Sequence, residues 1–228
     1  MGGRDRGAGQ PVDALPALCA PADHAQKKTL IAREQDAAER AAFRAEVAAL
    51  DPATLVFVDE TATSLRLTPL RGRSPRGERL VDRVPRGRWE SVTYLASFSL
   101  AGVGPSVLLP GALDRQALDV FVAEQLAPRL APGQTVVWDN LSVHKSAQAR
   151  ALIEAAGGRL RFLPRYSPDF NPIEQAFSKL KTSLRRQRPR SFDELVTATA
   201  EAIDRITPDD ASGYFSAAGY PPQRGHNL

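Results

Sequence analysis

The succession of apolar periods predicts an α/β fold: a mixed sheet, an antiparallel meander and then parallel strands, flanked by helices on both faces. Three observations carry this. Between residues 54 and 109, short apolar runs alternate with turn-forming clusters, and no helical period interrupts them. After Gly111 the pattern switches to helix, strand, helix, strand, helix. Two apolar runs, Leu55-Val56-Phe57-Val58 and Val136-Val137-Trp138, stop at an aspartate, a residue that opens turns.

Residues 1–27 mix Gly, Pro, Asp, Arg and Ala with neither period, so disorder is expected there. Residues 31–50 read as a helix with a thin apolar stripe, Phe43, Val47 and Leu50, ended by Asp51-Pro52. Strands are expected at 54–59, more weakly at 64–67, and at 91–99 and 106–109. The punctuation between them is Ser74-Pro75-Arg76-Gly77, Val84-Pro85-Arg86-Gly87 and Gly102-Val103-Gly104-Pro105. Leu118, Phe121, Val122 and Leu126 define one face of a helix halted by Pro128 and Pro132-Gly133. A strand at 135–138, a helix near 145–156 closed by Gly157-Gly158, a strand at 160–163 and a helix over 172–187 follow. A last helix is expected over 192–206, capped by Ser191 with Glu194 three residues on. Residues 28–222 thus read as one domain and 223–228 as a tail.

The 228 residues are 43% apolar and 25% charged, enough for one sizeable core. A lone cysteine, Cys19, rules out an internal disulfide framework and a thiolate zinc site, in keeping with a reducing, cytoplasmic setting. No apolar run approaches the ~18 residues of a membrane span. No membrane partner is expected.

Asp59, Asp139 and Glu174 each have a structural reading when taken singly. The aspartates could open turns. Asn171 could cap a helix with Pro172 at its first position and Glu174 at its third. Together they say more, because each adjoins a strand of the same inferred sheet and 34 residues separate Asp139 from Glu174. That excursion fits a strand, helix, strand, loop and helix returning to its origin. Three converging carboxylates repel unless cations bind them, and hard oxygens suit Mg²⁺ or Mn²⁺. Two such ions ~3.5–4 Å apart form the known clamp for displacement at phosphorus. Asn140, His144 and Asn171 are expected to support the ligands rather than bind metal.

At these residues the chain resembles a known family. Val58-Asp59-Glu60-Thr61, Trp138-Asp139-Asn140 with His144-Lys145, and Tyr166-Ser167-Pro168-Asp169-Phe170-Asn171-Pro172-Ile173-Glu174-Gln175 are similar to motifs of DDE transposases of the mariner superfamily, of the bacterial insertion-sequence type. The resemblance spans roughly residues 28–220. It implies a ribonuclease H-like fold, two divalent ions (Mg²⁺ or Mn²⁺) and an Asp59, Asp139, Glu174 triad. It further implies cut-and-paste movement, insertion at TA and a homodimer that pairs two element ends. The family's N-terminal helix-turn-helix region, which reads the terminal repeats, has no counterpart in residues 1–27, so a separate chain could supply it.

Charge placement points to DNA, both terminal repeats and target. Residues 66–88 hold eight arginines against two acids, and Arg73 and Arg76 are candidates for phosphate contact, with a solvated loop as the plain alternative. In the helix after Pro172 the apolar stripe is Ile173, Phe177, Leu180 and Leu184, while Lys181 and Arg185 share the face of Glu174. Lys179 and Arg186 extend the positive charge. Trp89 and Trp138 read as packing residues. The function expected is metal-dependent DNA cleavage and strand transfer. A catalytically silent DNA-binding remnant that inhibits a full-length transposase, and a plain metal-dependent nuclease, are the alternatives.

Overall fold

The computed structural model describes residues 32–84, 91–141 and 144–221. The expectations for residues 1–27, for the tail 223–228 and for Trp89 lie outside these residues. The elements run α1 (Ala37–Val47), β1 (Leu55–Thr63), β2 (Val92–Ser99), β3 (Gly102–Pro110), α2 (Arg115–Phe121), β4 (Thr135–Trp138), α3 (Ala147–Ala155), β5 (Arg159–Phe162), α4 (Ile173–Gln187), α5 (Phe192–Ile203) and α6 (Pro208–Ala217).

The five strands form one sheet in the order β3-β2-β1-β4-β5. β1, β2 and β3 pair antiparallel, whereas β4 lies parallel to both β1 and β5. The meander followed by parallel strands is therefore the expected mixed sheet. Alternation along β1 sends Leu55 and Phe57 to one face and Val56 and Val58 to the other. The first face packs on α1, α4, α5 and α6 through Phe43, Ile173, Phe177, Leu180, Leu184, Leu195 and Phe215. The second packs on α2, the helical turn Val122–Leu126 that follows it, and α3 through Leu118, Phe121, Val122, Leu126, Ala149 and Ile153, joined by Trp138. Trp138 is the packing residue expected, with no exposed surface. Each such large side chain contributes about 1.5–3 kcal/mol by leaving water.

Several expectations are corrected. Residues 64–67 form a turn, and β1 instead runs on to Thr63, so Asp59 lies inside a strand rather than at its end. Gly102-Val103-Gly104-Pro105 belongs to β3, and Pro105 is tolerated because β3 is an edge strand. The helix expected over 192–206 ends at Ile203, and α6 follows it. Ser191 caps α5 as expected, but the Glu194 carboxylate reaches past it to the Arg190 N–H (2.6 Å). The helix expected over 31–50 is, among the described residues, Ala37–Val47, started by Asp36, whose carboxylate accepts from Ala38 and Glu39 N–H.

Candidate active site

β4 sets the site's position. It ends at Trp138, opposite Val58 of β1, so beyond that pair β1 continues with no neighbour on that side. Asp59 and Glu60 are the first residues of this open edge. Asp139 leaves the end of β4, and the loop after β5 carries Leu163 to Asn171 across the same end of the sheet. These segments enclose a cleft of about 620 Å³ whose walls include Asp59, Glu60, Asp139, Asn140, Asn171 and Glu174. All three acids expected to act together thus face one space, as do Asn140 and Asn171.

Asp59 is the deepest, 7% exposed. One carboxylate oxygen accepts the Glu60 N–H (2.8 Å), and the other accepts Asn171 Nδ2 (2.7 Å). Burial pushes its carboxyl up to about 8, with the charges of Glu60, Asp139 and Glu174 adding to the rise. Glu174 stands at the exposed lip. Its carboxyl is also raised, first by desolvation and then by Asp139 and Glu60, while Lys181 pulls it down. Asp139 Oδ1 accepts the Leu141 N–H (3.2 Å) and meets His144 Nδ1.

His144 touches Asp139, as expected of a residue that supports a ligand rather than binding metal. It is fully buried, stacked on Trp138 with ring centroids 5.1 Å apart, and its Nε2 lies 2.9 Å from Glu60 Oε2. Burial alone would lower its pKa, but Asp139 and Glu60 outweigh that and raise it to about 9. His144 therefore sits between two carboxylates that favour its protonated form.

Glu60 is the site residue that sequence reasoning missed. Period 2 sends it to the face opposite Asp59, and it does lie on the α3 side with His144. The early end of β4 lets residues from both faces of β1 meet around one edge. The signal available was the acidic pair itself, placed just after a buried apolar run.

The capping role considered for Asn171 and Glu174 is not what the structure shows. Pro172 occupies the cap position of α4 without any side-chain bond, and the Asn171 amide is directed to Asp59 instead. Asn171 is 3% exposed, and its Oδ1 has no partner among the described residues. The loop holding it is fastened from outside by α1. Arg40 grips Asp169 with two bonds (2.9 and 2.6 Å) and lies 4.2 Å over the Phe170 ring, and Phe43 stacks on Phe170 at 5.6 Å. Gln35 Nε2 donates to the Tyr166 carbonyl (2.8 Å), and Tyr166 has a left-handed backbone, φ 54°.

The basic residues divide. Lys181 is near enough to Glu174 to influence its ionisation, and Arg185 is half-buried one turn on. Lys179 is held by Asp210 of α6 at 2.6 Å, and with Arg186 it lines a separate groove between α4, α5 and α6. Arg73 and Arg76 lie in an exposed loop and do not line the cleft.

A cleft lined by four carboxylates, of which Glu174 and buried Asp59 have raised protonation, together with an amide oxygen that has no partner among the described residues, fits a divalent cation, which would replace the missing positive charge. Among the described residues no three acidic, imidazole or thiol side chains are already drawn together as a finished metal site.

Among curated proteins, none matches the sequence significantly. The fold is that of known proteins. The Mos1 strand transfer complex matches with a TM-score of 0.68 at 15% identity, over 90% of this chain and 64% of that one. The Mos1 mariner paired end complex with Mn gives 0.67 at 16% identity, over 90% and 65%. The catalytic domain of Mos1 mariner transposase gives 0.55 at 15% identity, over 82% and 86%. The chain thus spans about two thirds of the longer Mos1 chains and most of the catalytic domain, and it shares their ribonuclease H-like fold. Residues 54–196 match the family described as DDE superfamily endonuclease. That stretch covers well over half of the sequence and contains Asp59, Asp139 and Glu174, and on it we assign the chain to the DDE endonuclease superfamily.

Proposed function

We propose that this chain is the catalytic part of a DNA transposase, which cuts the end of a mobile element and joins the freed 3′-hydroxyl to target DNA. The observation that carries the reading is the convergence of Asp59, Asp139 and Glu174 on one cleft, beside a loop whose sequence matches the family's motif.

Asp59, Asp139 and Glu174 would hold two divalent ions, Mg²⁺ or Mn²⁺. Bound there, the ions supply Lewis acidity toward the scissile phosphate and a lowered pKa for an attacking hydroxyl. Asn171 fixes the Asp59 carboxylate by its 2.7 Å bond, and His144 fixes one oxygen of Asp139, leaving the other for a ligand role. Lys181, beside Glu174, offers a cation to the phosphate backbone, and Arg185 continues the positive charge one turn on along α4. We further propose a bacterial insertion-sequence origin and a homodimer that pairs two element ends. Reading of the terminal repeats falls to a helix-turn-helix outside the residues described, on this or another chain.

The test is incubation of the purified protein with Mg²⁺ or Mn²⁺ and pre-nicked DNA bearing the element's terminal repeat, taken from the DNA flanking the gene. Strand-transfer products are expected. Cleavage without joining would make it a plain nuclease. Retarded DNA without any cleavage would make it a silent DNA-binding remnant.

A further inference from the structure

Lys181 of α4 stands beside Glu174 of the cleft, but two other cations line it. Lys145, six residues beyond Asp139 on the loop after β4, and Arg165, on the loop after β5, are both exposed and both form its wall. β4 and β5 are neighbouring parallel strands, so the two cations leave the same end of the sheet from adjacent loops. Among the described residues neither side chain has a hydrogen bond or ion pair. This is unexpected for cations in a cleft with four carboxylates. Elsewhere in the molecule cations find acids: Arg40 takes Asp169, Lys179 takes Asp210, Arg161 takes Glu46 and Arg188 takes Asp82.

Resting on the transposase reading, we propose that Lys145 and Arg165 form a clamp for the DNA strand entering the cleft, each taking a phosphate next to the one at the acids. A phosphodiester chain approaching Asp59, Glu60, Asp139 and Glu174 meets a negative field. Ions held by the inner carboxylates cancel that field at the reacting phosphate but not at its neighbours. Cations at the rim cancel it there. The Arg165 fork can hold a phosphate through two parallel N–H bonds, whereas Lys145 acts as a mobile point charge. The contact is blind to sequence, so it positions the strand without selecting it.

The tightness of the loops fits this task. Arg165 is bracketed by buried Pro164 and by Tyr166, whose carbonyl is tied to Gln35, while Lys145 lies between buried His144 and buried Ser146. Ser146 caps α3 and donates to Asp119 at 2.6 Å. Both cations therefore project from anchored backbone.

The test is DNA affinity against salt, measured with Ca²⁺ in place of Mg²⁺ so that DNA is not consumed. Each phosphate contact contributes about 0.9 to the slope of log K against log[salt] on duplex DNA, or about 0.7 on a single strand. Lys145→Gln and Arg165→Gln should each flatten the slope by about that amount and weaken binding by close to tenfold at 0.1 M salt, with additive effects in the double variant. Lys145→Arg and Arg165→Lys should restore the slope, which separates charge from fold. Arg129→Gln, at the opposite end of β4, should leave it unchanged. An unchanged slope in a folded double variant would overturn the clamp while leaving the transposase reading intact. Absence of DNA binding by the unaltered protein would overturn both.

Discussion

Asn171 and Asp59 lie 112 residues apart and are joined by a 2.7 Å bond from the asparagine Nδ2 to a carboxylate oxygen, inside the protein. Local sequence favoured a different use for that amide, the cap of α4. The tertiary bond wins because leaving one oxygen of the buried Asp59 carboxyl without its donor costs about 1–3 kcal/mol, against about 1 for an uncapped helix start. The loop after β5 is thereby tied to the middle of β1.

Replacing Asn171 tests this. Asn171→Ala should lower the stability by about 1–3 kcal/mol, moving the Tm by several degrees. Asn171→Ser separates the two roles. Serine is a good cap but cannot reach Asp59 with an amide, so its Tm should match that of the alanine variant. A serine variant as stable as the original protein would restore the capping account.

Glu174→Gln should leave the metal-free Tm unchanged or slightly raised. The side chain makes no bond in the described structure, and its removal relieves repulsion from Asp139 and Glu60. The same variant should lose strand transfer, measured on pre-nicked DNA. Retained strand transfer would remove Glu174 from the site.

The titrations of Asp59 and His144 act in one direction. Asp59 titrates near 8 in the folded chain against 3.8 ordinarily, so between these values the folded state holds the extra proton and stability falls as pH rises. His144 titrates near 9 against 6.5, so its contribution is complete below 6.5 and is lost on approaching 9. Metal-free protein should therefore have a higher Tm at pH 6 than at pH 9. Added Mn²⁺ competes with these protons, and the gain in Tm it produces should be larger at pH 9. A flat metal-free Tm between pH 6 and 9 would contradict both shifts.

Arg40→Lys should reduce activity without touching the cleft. Lysine keeps the charge but loses the two-bond grip on Asp169 and the contact with Phe170. A loss of about 1 kcal/mol, or roughly 2–4 °C in Tm, is expected, together with a several-fold fall in turnover as the loop bearing Asn171 loosens. Unaltered turnover would show that α1 does not support the loop.

Much of this architecture was legible in the sequence because it follows from period. β4, β5 and the stripes of α2 and α4 were marked by apolar spacing, and the acids by their place after buried runs. What escaped depends on partners distant in the chain. α6 carries Gly213 and four serine or aspartate residues that read as loop. It is helical because Ala211 and Phe215 are buried and Thr207 and Asp210 cap each other. The Thr-x-x-Asp pattern was the available signal. Glu60 joins the site only because β4 is short, and Lys179 is claimed by Asp210 of that same unforeseen helix. The Lys179 pairing has no local signature, and for Glu60 the only local hint was the acidic pair after a buried apolar run.

The central claim is that Asp59, Asp139 and Glu174 act as one set of ligands, and Mn²⁺ binding measured by calorimetric titration addresses it most directly. Two ions per chain are predicted at pH 8 for the unaltered protein, with at least one lost in each of Asp59→Asn, Asp139→Asn and Glu174→Gln. Full binding retained by all three variants, or none by the unaltered chain, would contradict it.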